Sequence, residues 1–195
     1  MADQKRPYRK KRRAELEEAT RRRITESAME LHGTLGPSRT SVSAVAEHAG
    51  VRRSTVYRHF PDETALFAAC SAHWRAANPT PDIGRWVTIE DPDERLRSAL
   101  QELYAFYRST ERMMDNLIRD EALMPVVKWT FEGFRAFLAA ARDALMAGRG
   151  SRKRQRAAVG HALAFTTWRS LAREQGLDDA QAADLMCRLV AAAKA

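Results

Sequence analysis

The chain has 195 residues, with 33 Lys and Arg against 25 Asp and Glu and a formal net charge of +8. Hydrophobic side chains make up 45%, enough for a core and too many for a disordered chain, and no run approaches the ~18 apolar residues of a membrane span. Two cysteines, Cys70 and Cys187, exclude a disulfide framework, and 9 Gly with 7 Pro argue against a turn-rich β protein.

The first residues are charged and lack the apolar stretch of a secretory leader, so a reducing, cytoplasmic setting is expected. Charge is unevenly placed. Residues 1–60 hold 14 basic and 7 acidic side chains, while residues 61–195 hold 19 and 18. That asymmetry points to a polyanionic partner for the first third. The densest run is Lys5, Arg6, Arg9, Lys10, Lys11, Arg12 and Arg13. It has no apolar period and Pro7 interrupts it, so residues 1–14 read as a flexible basic arm. A solvated tail would have the same composition. A membrane-surface role would need apolar anchors, and none precedes Leu16.

From there the pattern is helical nearly throughout. A first helix is expected over roughly Ala14–His32, with Ile24, Ala28 and Leu31 on one stripe. Gly33, Gly36 and Pro37 break it. A second starts after Thr40 or Ser41, with Val42, Val45, Ala46 and Ala49 at i, i+3, i+4, i+7. Gly50 permits a left-handed turn residue, and a short third helix spans about Arg52–His59. Asp62 caps a fourth. Residues 78–92, with Pro79, Pro81, Gly84 and Pro92, are the longest non-helical stretch expected. Asp91-Pro92-Asp93-Glu94 starts the next helix. Thr110 can cap a further short one. Helices follow over Pro125–Met146 and about 152–175, and the last begins at a capping box from Asp178 to Gln181. About nine helices and no strand are expected.

Thr40 to Phe60 thus reads helix, tight turn, short helix. Val45, Ala49, Val51, Val56 and Phe60 can pack the two helices together. The short helix would then expose Arg52, Arg53, Ser54, Thr55, Tyr57, Arg58 and His59, all hydrogen-bond donors and none acidic. Arginine pairs bidentately with guanine edges or with phosphates, so such a face suits a major groove. An ordinary helical hairpin with a solvated basic face has the same spacing.

The segment TSVSAVAEHAGVRRSTVYRHFPDETALF resembles the DNA-binding core of the TetR family of transcriptional repressors. Thr40, Ala49-Gly50-Val51, Thr55-Val56-Tyr57 and Phe60 fit that family's pattern, and RRRITESAMELHGTLGPSRTSV resembles its first helix and loop. Strong matching covers roughly residues 20–70. The resemblance implies that Thr40 binds a phosphate at the start of the second helix. It implies that Arg52, Arg53, Ser54 and Thr55 approach bases and backbone, that Tyr57 touches a phosphate or thymine, and that Arg58 and His59 flank the groove. Glu63 stands where the family often has a phosphate-contacting lysine.

The remainder is near neutral and rich in aromatic residues and Met. The resemblance implies a ligand-binding and dimerisation domain over 78–195, after a helix-turn-helix domain over 15–77. Candidate ligand residues are Tyr104, Tyr107, Met113, Leu117, Trp129, Phe134, His161, Phe165 and Trp168, although aromatics at helical spacing also simply build cores. Candidate dimer residues are Ala158, Ala162, Leu185, Met186, Leu189 and Val190.

Enzyme signatures are missing. There is no P-loop, H-E-x-x-H, C-x-x-C or G-x-S-x-G, and no two of His32, His48, His59, His73 and His161 are four apart. Neither catalysis, a metal nor a cofactor is expected. The reading is an all-α, ligand-responsive regulator that binds a double-stranded palindromic operator as a homodimer. A small apolar or aromatic effector would release it by changing the spacing of the two heads. The alternative is a nonspecific chromosome-associated DNA-binding protein.

Overall fold

The computed structural model describes residues 5–149 and 152–193. Among these residues there are ten α-helices and no strand. They are α1 (Lys5–Thr34), α2 (Val42–His48), α3 (Arg53–His59), α4 (Glu63–Ala77), α5 (Ile83–Val87), α6 (Pro92–Asp120), α7 (Pro125–Met146), α8 (Lys153–Ala162), α9 (Phe165–Arg169) and α10 (Asp179–Ala192). A 3-10 turn, Pro37–Arg39, leads into α2, and a π turn, Ser170–Glu174, follows α9. The chain divides into two compact units: Met1–Ala77 with Arg112–Thr130, and Asn78–Glu111 with Phe131–Ala195. Residues 112–130, expected with the C-terminal domain, therefore group with the first unit.

Several boundaries differ from expectation for identifiable reasons. The basic stretch expected as a flexible arm is helical from Lys5 onward; residues 1–4 lie outside the described residues. Lys, Arg, Ala, Glu and Leu are strong helix formers, and Pro7 falls in the first turn, where its missing N–H leaves no bond unmade. Thr110 does not start a helix. Its hydroxyl donates to the Phe106 carbonyl at 2.7 Å, so the chain passes through it within α6. Within the expected non-helical stretch, Asp82 accepts from Gly84 N at 2.8 Å and caps the short α5. The helix expected over 152–175 breaks after Ala162. Carbonyls that an unbroken helix would use are taken by buried tyrosines: Tyr104 donates to Ala162 at 2.9 Å and Tyr107 to Leu163 at 2.6 Å.

In the first unit, α1 packs against α2, α3 and α4. Its stripe buries Ile24 and Ala28 with Val45, Ala49, Val56, Phe60, Leu66 and Phe67. The end of α1 carries the buried His32, whose ring lies 5.3 Å from that of Phe67 and whose Nδ1 is 3.3 Å from Cys70 Sγ. In the second unit, Leu96, Leu100, Leu103, Tyr104 and Tyr107 of α6 are buried, as are Val159, Ala162, Trp168, Met186 and Val190 of α8 to α10.

Burial pushes the His32 imidazole down to about 4 against the smaller opposing attraction of Asp120, and it pushes the Cys70 thiol up to about 12. The unfolded chain takes up the His32 proton near pH 6.5, whereas the folded one refuses it until about 4. Stability linked to His32 is therefore full above 6.5 and lost as pH falls towards 4, by about 3 kcal/mol in total. Urea unfolding across this range is expected to show that slope, and His32→Leu is expected to flatten it.

Candidate nucleic-acid interface

The helix-turn-helix is built from a capped helix, a left-handed turn and a second short helix. Ser41 is the N-cap of α2, its Oγ accepting from Ala44 N at 3.1 Å. At the other end Gly50 has φ +63°, with Gly50 N on Glu47 O at 3.0 Å and Val51 N on Ala46 O at 2.9 Å. That pairing closes a helix through a glycine and redirects the chain into α3. Buried Val56 and Phe60 hold α3 down. Arg21 of α1 secures its far end. Its Nη1 donates to the His59 carbonyl at 2.7 Å and its guanidinium lies 4.3 Å from the Phe60 ring centroid.

With Val56 inward, Arg52, Arg53, Ser54, Tyr57 and Arg58 are exposed, and α3 carries no carboxylate. Arg53 Nη2 donates to Tyr57 Oη at 3.2 Å, and the guanidinium stands 5.5 Å from that ring's centroid. The two side chains form one outward pair, with the remaining guanidinium N–H groups available to an acceptor. Thr55 and His59 are half-buried, and His59 Nε2 is buried without a partner among the described residues, so His59 is turned partly inward rather than set on the outer face. Thr40 is also half-buried, and its hydroxyl donates to Gly36 O at 2.8 Å. Its oxygen can accept, but donating to a phosphate requires that bond to be exchanged. Glu63 opens α4 beside this face. Lys10, Lys11, Arg12 and Arg13 are exposed on α1; the side chains of Lys5, Arg6 and Arg9 lie outside the described residues.

Three polar residues of the first unit escaped the sequence reading. Asn116 Nδ2 donates to His32 O at 3.0 Å and to Gly33 O at 2.9 Å. Arg119 Nη2 donates to Leu35 O at 2.9 Å, and Ser38 N donates to Asp120 Oδ2 at 2.9 Å. The Arg119 guanidinium and the Ser38 amide hold the Asp120 carboxyl below the usual carboxylate range despite its burial. No local pattern announces contacts made across more than eighty positions.

The candidate ligand residues do not all come together. Met113, Leu117 and Trp129 belong to the first unit, and Trp129 is 61% exposed. In the second unit Tyr107 packs edge-on to Phe165 at 5.3 Å and lies 5.9 Å from Trp168 and 6.3 Å from Phe134, with Tyr104 stacked at 6.4 Å. His161 is exposed, its Nδ1 3.2 Å from Thr167 Oγ1. An open groove of about 470 Å³, lined by Asp82, Arg85, Trp86, Ile89 and Glu102, lies elsewhere in this unit. Of the candidate dimer residues, Ala162, Met186 and Val190 are interior to the protomer, which corrects their assignment to a contact face. Leu185 and Leu189, one turn apart on α10, are each 43% exposed, and Ala158 is half-buried. Among the described residues no group of three His, Cys, Asp or Glu could hold a metal, and no helix is long and apolar enough to cross a membrane.

A capped helix, a left-handed glycine turn and a carboxylate-free short helix define a helix-turn-helix fold. Residues 24–70 match the family model described as bacterial regulatory proteins, tetR family. A search of curated sequences finds no match. Similar solved structures include a protein from Mesorhizobium loti MAFF303099 named for TetR-family transcriptional regulators, at 19% identity and TM-score 0.63, covering 91% of this chain and 96% of that one. A TetR-like transcriptional regulator from Rhodococcus sp. RHA1 has 20% identity and TM-score 0.62, covering 88% and 93%. A tetR-family transcriptional regulator from Streptomyces coelicolor has 18% identity and TM-score 0.59, covering 90% and 79%. The resemblance read from the sequence thus finds a family-model match over residues 24–70, and the chain has a TetR-like helical fold with a helix-turn-helix at its N-terminal end.

Arg21→Ala removes both the carbonyl cap and the ring contact at the end of α3. It is expected to destabilise the first unit by about 1–3 kcal/mol, read by thermal unfolding.

Proposed function

We propose that the chain is a sequence-specific repressor that binds a palindromic operator as a homodimer and is released by a small apolar or aromatic effector. The observation that carries this reading is the outward face of α3. Arg52, Arg53, Ser54, Tyr57 and Arg58 offer donors from a stretch that itself carries no carboxylate, and Arg53 is already oriented by Tyr57. Arg53 is the residue assigned to a guanine edge. Tyr57, Ser54 and Thr40 are assigned to phosphate or thymine contacts. The exposed lysines and arginines of α1 supply sequence-independent attraction. Leu185 and Leu189 of α10, with Ala158 of α8, form the apolar part of the proposed dimer contact, which links two heads and multiplies their affinity. Within the second unit, Tyr104, Tyr107, Phe134, Phe165 and Trp168 form the apolar set that an effector would contact. These rings lie against one another, so binding requires them to part, and an effector that favours the parted state shifts the population of forms. A cytoplasmic location and the lack of catalysis belong to the same reading.

Selection of bound sites from random duplex DNA is expected to return a palindrome bound at least ~10³-fold more tightly than random sequence. Equal binding to all duplexes would instead support a chromosome-coating protein. Against the selected duplex, Arg53→Ala is expected to lose about 1–3 kcal/mol and Tyr57→Phe less, by fluorescence anisotropy. Deleting residues 1–13 is expected to lower affinity and flatten its salt dependence. Leu185→Glu with Leu189→Glu is expected to give a monomer by sedimentation.

A further inference from the structure

The first unit contains a closed polar network that the recognition face does not use directly. Asp120 is fully buried, at 0% exposure. Its Oδ2 accepts from Ser38 N at 2.9 Å and its Oδ1 from Arg119 Nε at 2.8 Å. Arg119 also donates to Leu35 O at 2.9 Å and to Asn116 Oδ1 at 2.9 Å, and Asn116 donates to the carbonyls of His32 and Gly33. Two of these bonds take up carbonyls in the last turn of α1, and the Asp120 bond takes up an amide at the start of the 3-10 turn. The great majority of buried polar groups in folded proteins are satisfied in this way.

The network closes over Gly36. That residue has φ +96° and ψ 154°, a region reserved for glycine, and a Cβ there would lie 2.6 Å from Asp120 Oδ2 and would overlap Arg119 Nη2. The turn so held ends at Thr40, whose N donates to Pro37 O at 3.1 Å and whose hydroxyl donates to Gly36 O at 2.8 Å. Ser41, the cap of α2, follows directly.

We propose that Asn116, Arg119 and Asp120 are positioning residues for DNA reading. They fix the turn over residues 36–41, and through it the start of α2, so sequence-specific binding depends on a buried carboxylate supplied from the end of α6. This rests on the DNA-binding reading above. A charge-assisted bond to a buried amide is among the stronger single hydrogen bonds, so its loss should loosen the turn and leave the helices of the head folded.

The test uses the full chain, the duplex recovered by selection and a random-sequence duplex. Asp120→Ala is expected to bind the selected duplex about tenfold more weakly and the random duplex almost as before, because Arg52, Arg53 and Arg58 remain exposed. Amide exchange over residues 38–41 is expected to accelerate while α1, α3 and α4 keep their protection. Asp120→Asn, which keeps one oxygen for the Ser38 amide but turns N–H groups towards the Arg119 Nε donor, is expected to recover only part of the selectivity. Unchanged affinity of Asp120→Ala for the selected duplex, or an equal loss on both duplexes, would overturn the proposal. If Asp120→Ala does not fold, Arg119→Met tests the same network from its exposed side, and unchanged selectivity in that variant overturns the proposal too. A wild-type chain with no preference among duplexes would defeat the DNA-binding reading itself. The exchange measurement would still decide whether Asp120 holds the turn.

Discussion

A helix of seven residues cannot hold its own shape in water, and α3 has seven. Its conformation and its outward face both come from being pinned. Val56 points into the first unit's core, Phe60 closes the end beneath Arg21, and the turn at Gly50 sets the entry. Once those anchors are in place, the remaining side chains of α3 turn towards solvent or the rim. The donor face is thus a consequence of packing on the opposite side. That dependence makes the apolar and small residues of α1 and α2 as necessary to the donor face as its arginines.

The same dependence extends into polar contacts. Arg21 joins α1 to the end of α3, and Asp120 joins the end of α6 to the turn before α2. Each charged group sits where an unpaired backbone group would otherwise remain. In the second unit the logic recurs with neutral groups, since Tyr104 and Tyr107 complete carbonyls freed by the break after Ala162. Several of the fold's buried polar side chains thus serve helix ends and breaks.

The helix-turn-helix was legible because its signals are local. Apolar spacing from Val42 to Ala49, the glycine at 50 and the aromatic before Pro61 lie within one short window. Helix periodicity likewise revealed most of the remaining elements. What stayed hidden was non-local. The break after Ala162 depends on tyrosines from α6, and the role of Asp120 depends on an amide 82 positions away. Thr110 looked like a cap because a hydroxyl before an apolar run can serve that end; bonding back to Phe106 lets it continue the helix instead. The basic stretch looked disordered because charge without apolar spacing carries no packing signal, although its residues favour a helix. Ala162, Met186 and Val190 looked like contact residues because small and apolar side chains serve an interior and an interface equally well.

The central claim is that the solvent side of α3 meets the nucleotide duplex. Nuclear magnetic resonance titration with the selected duplex tests it most directly, following the backbone amides of Arg52 to His59 and the arginine side-chain Nε signals. The account predicts the largest shifts at Arg52, Arg53, Tyr57 and Arg58, with smaller ones at Thr40 and along the exposed basic part of α1. Tight binding that left every one of the α3 signals unmoved would contradict it.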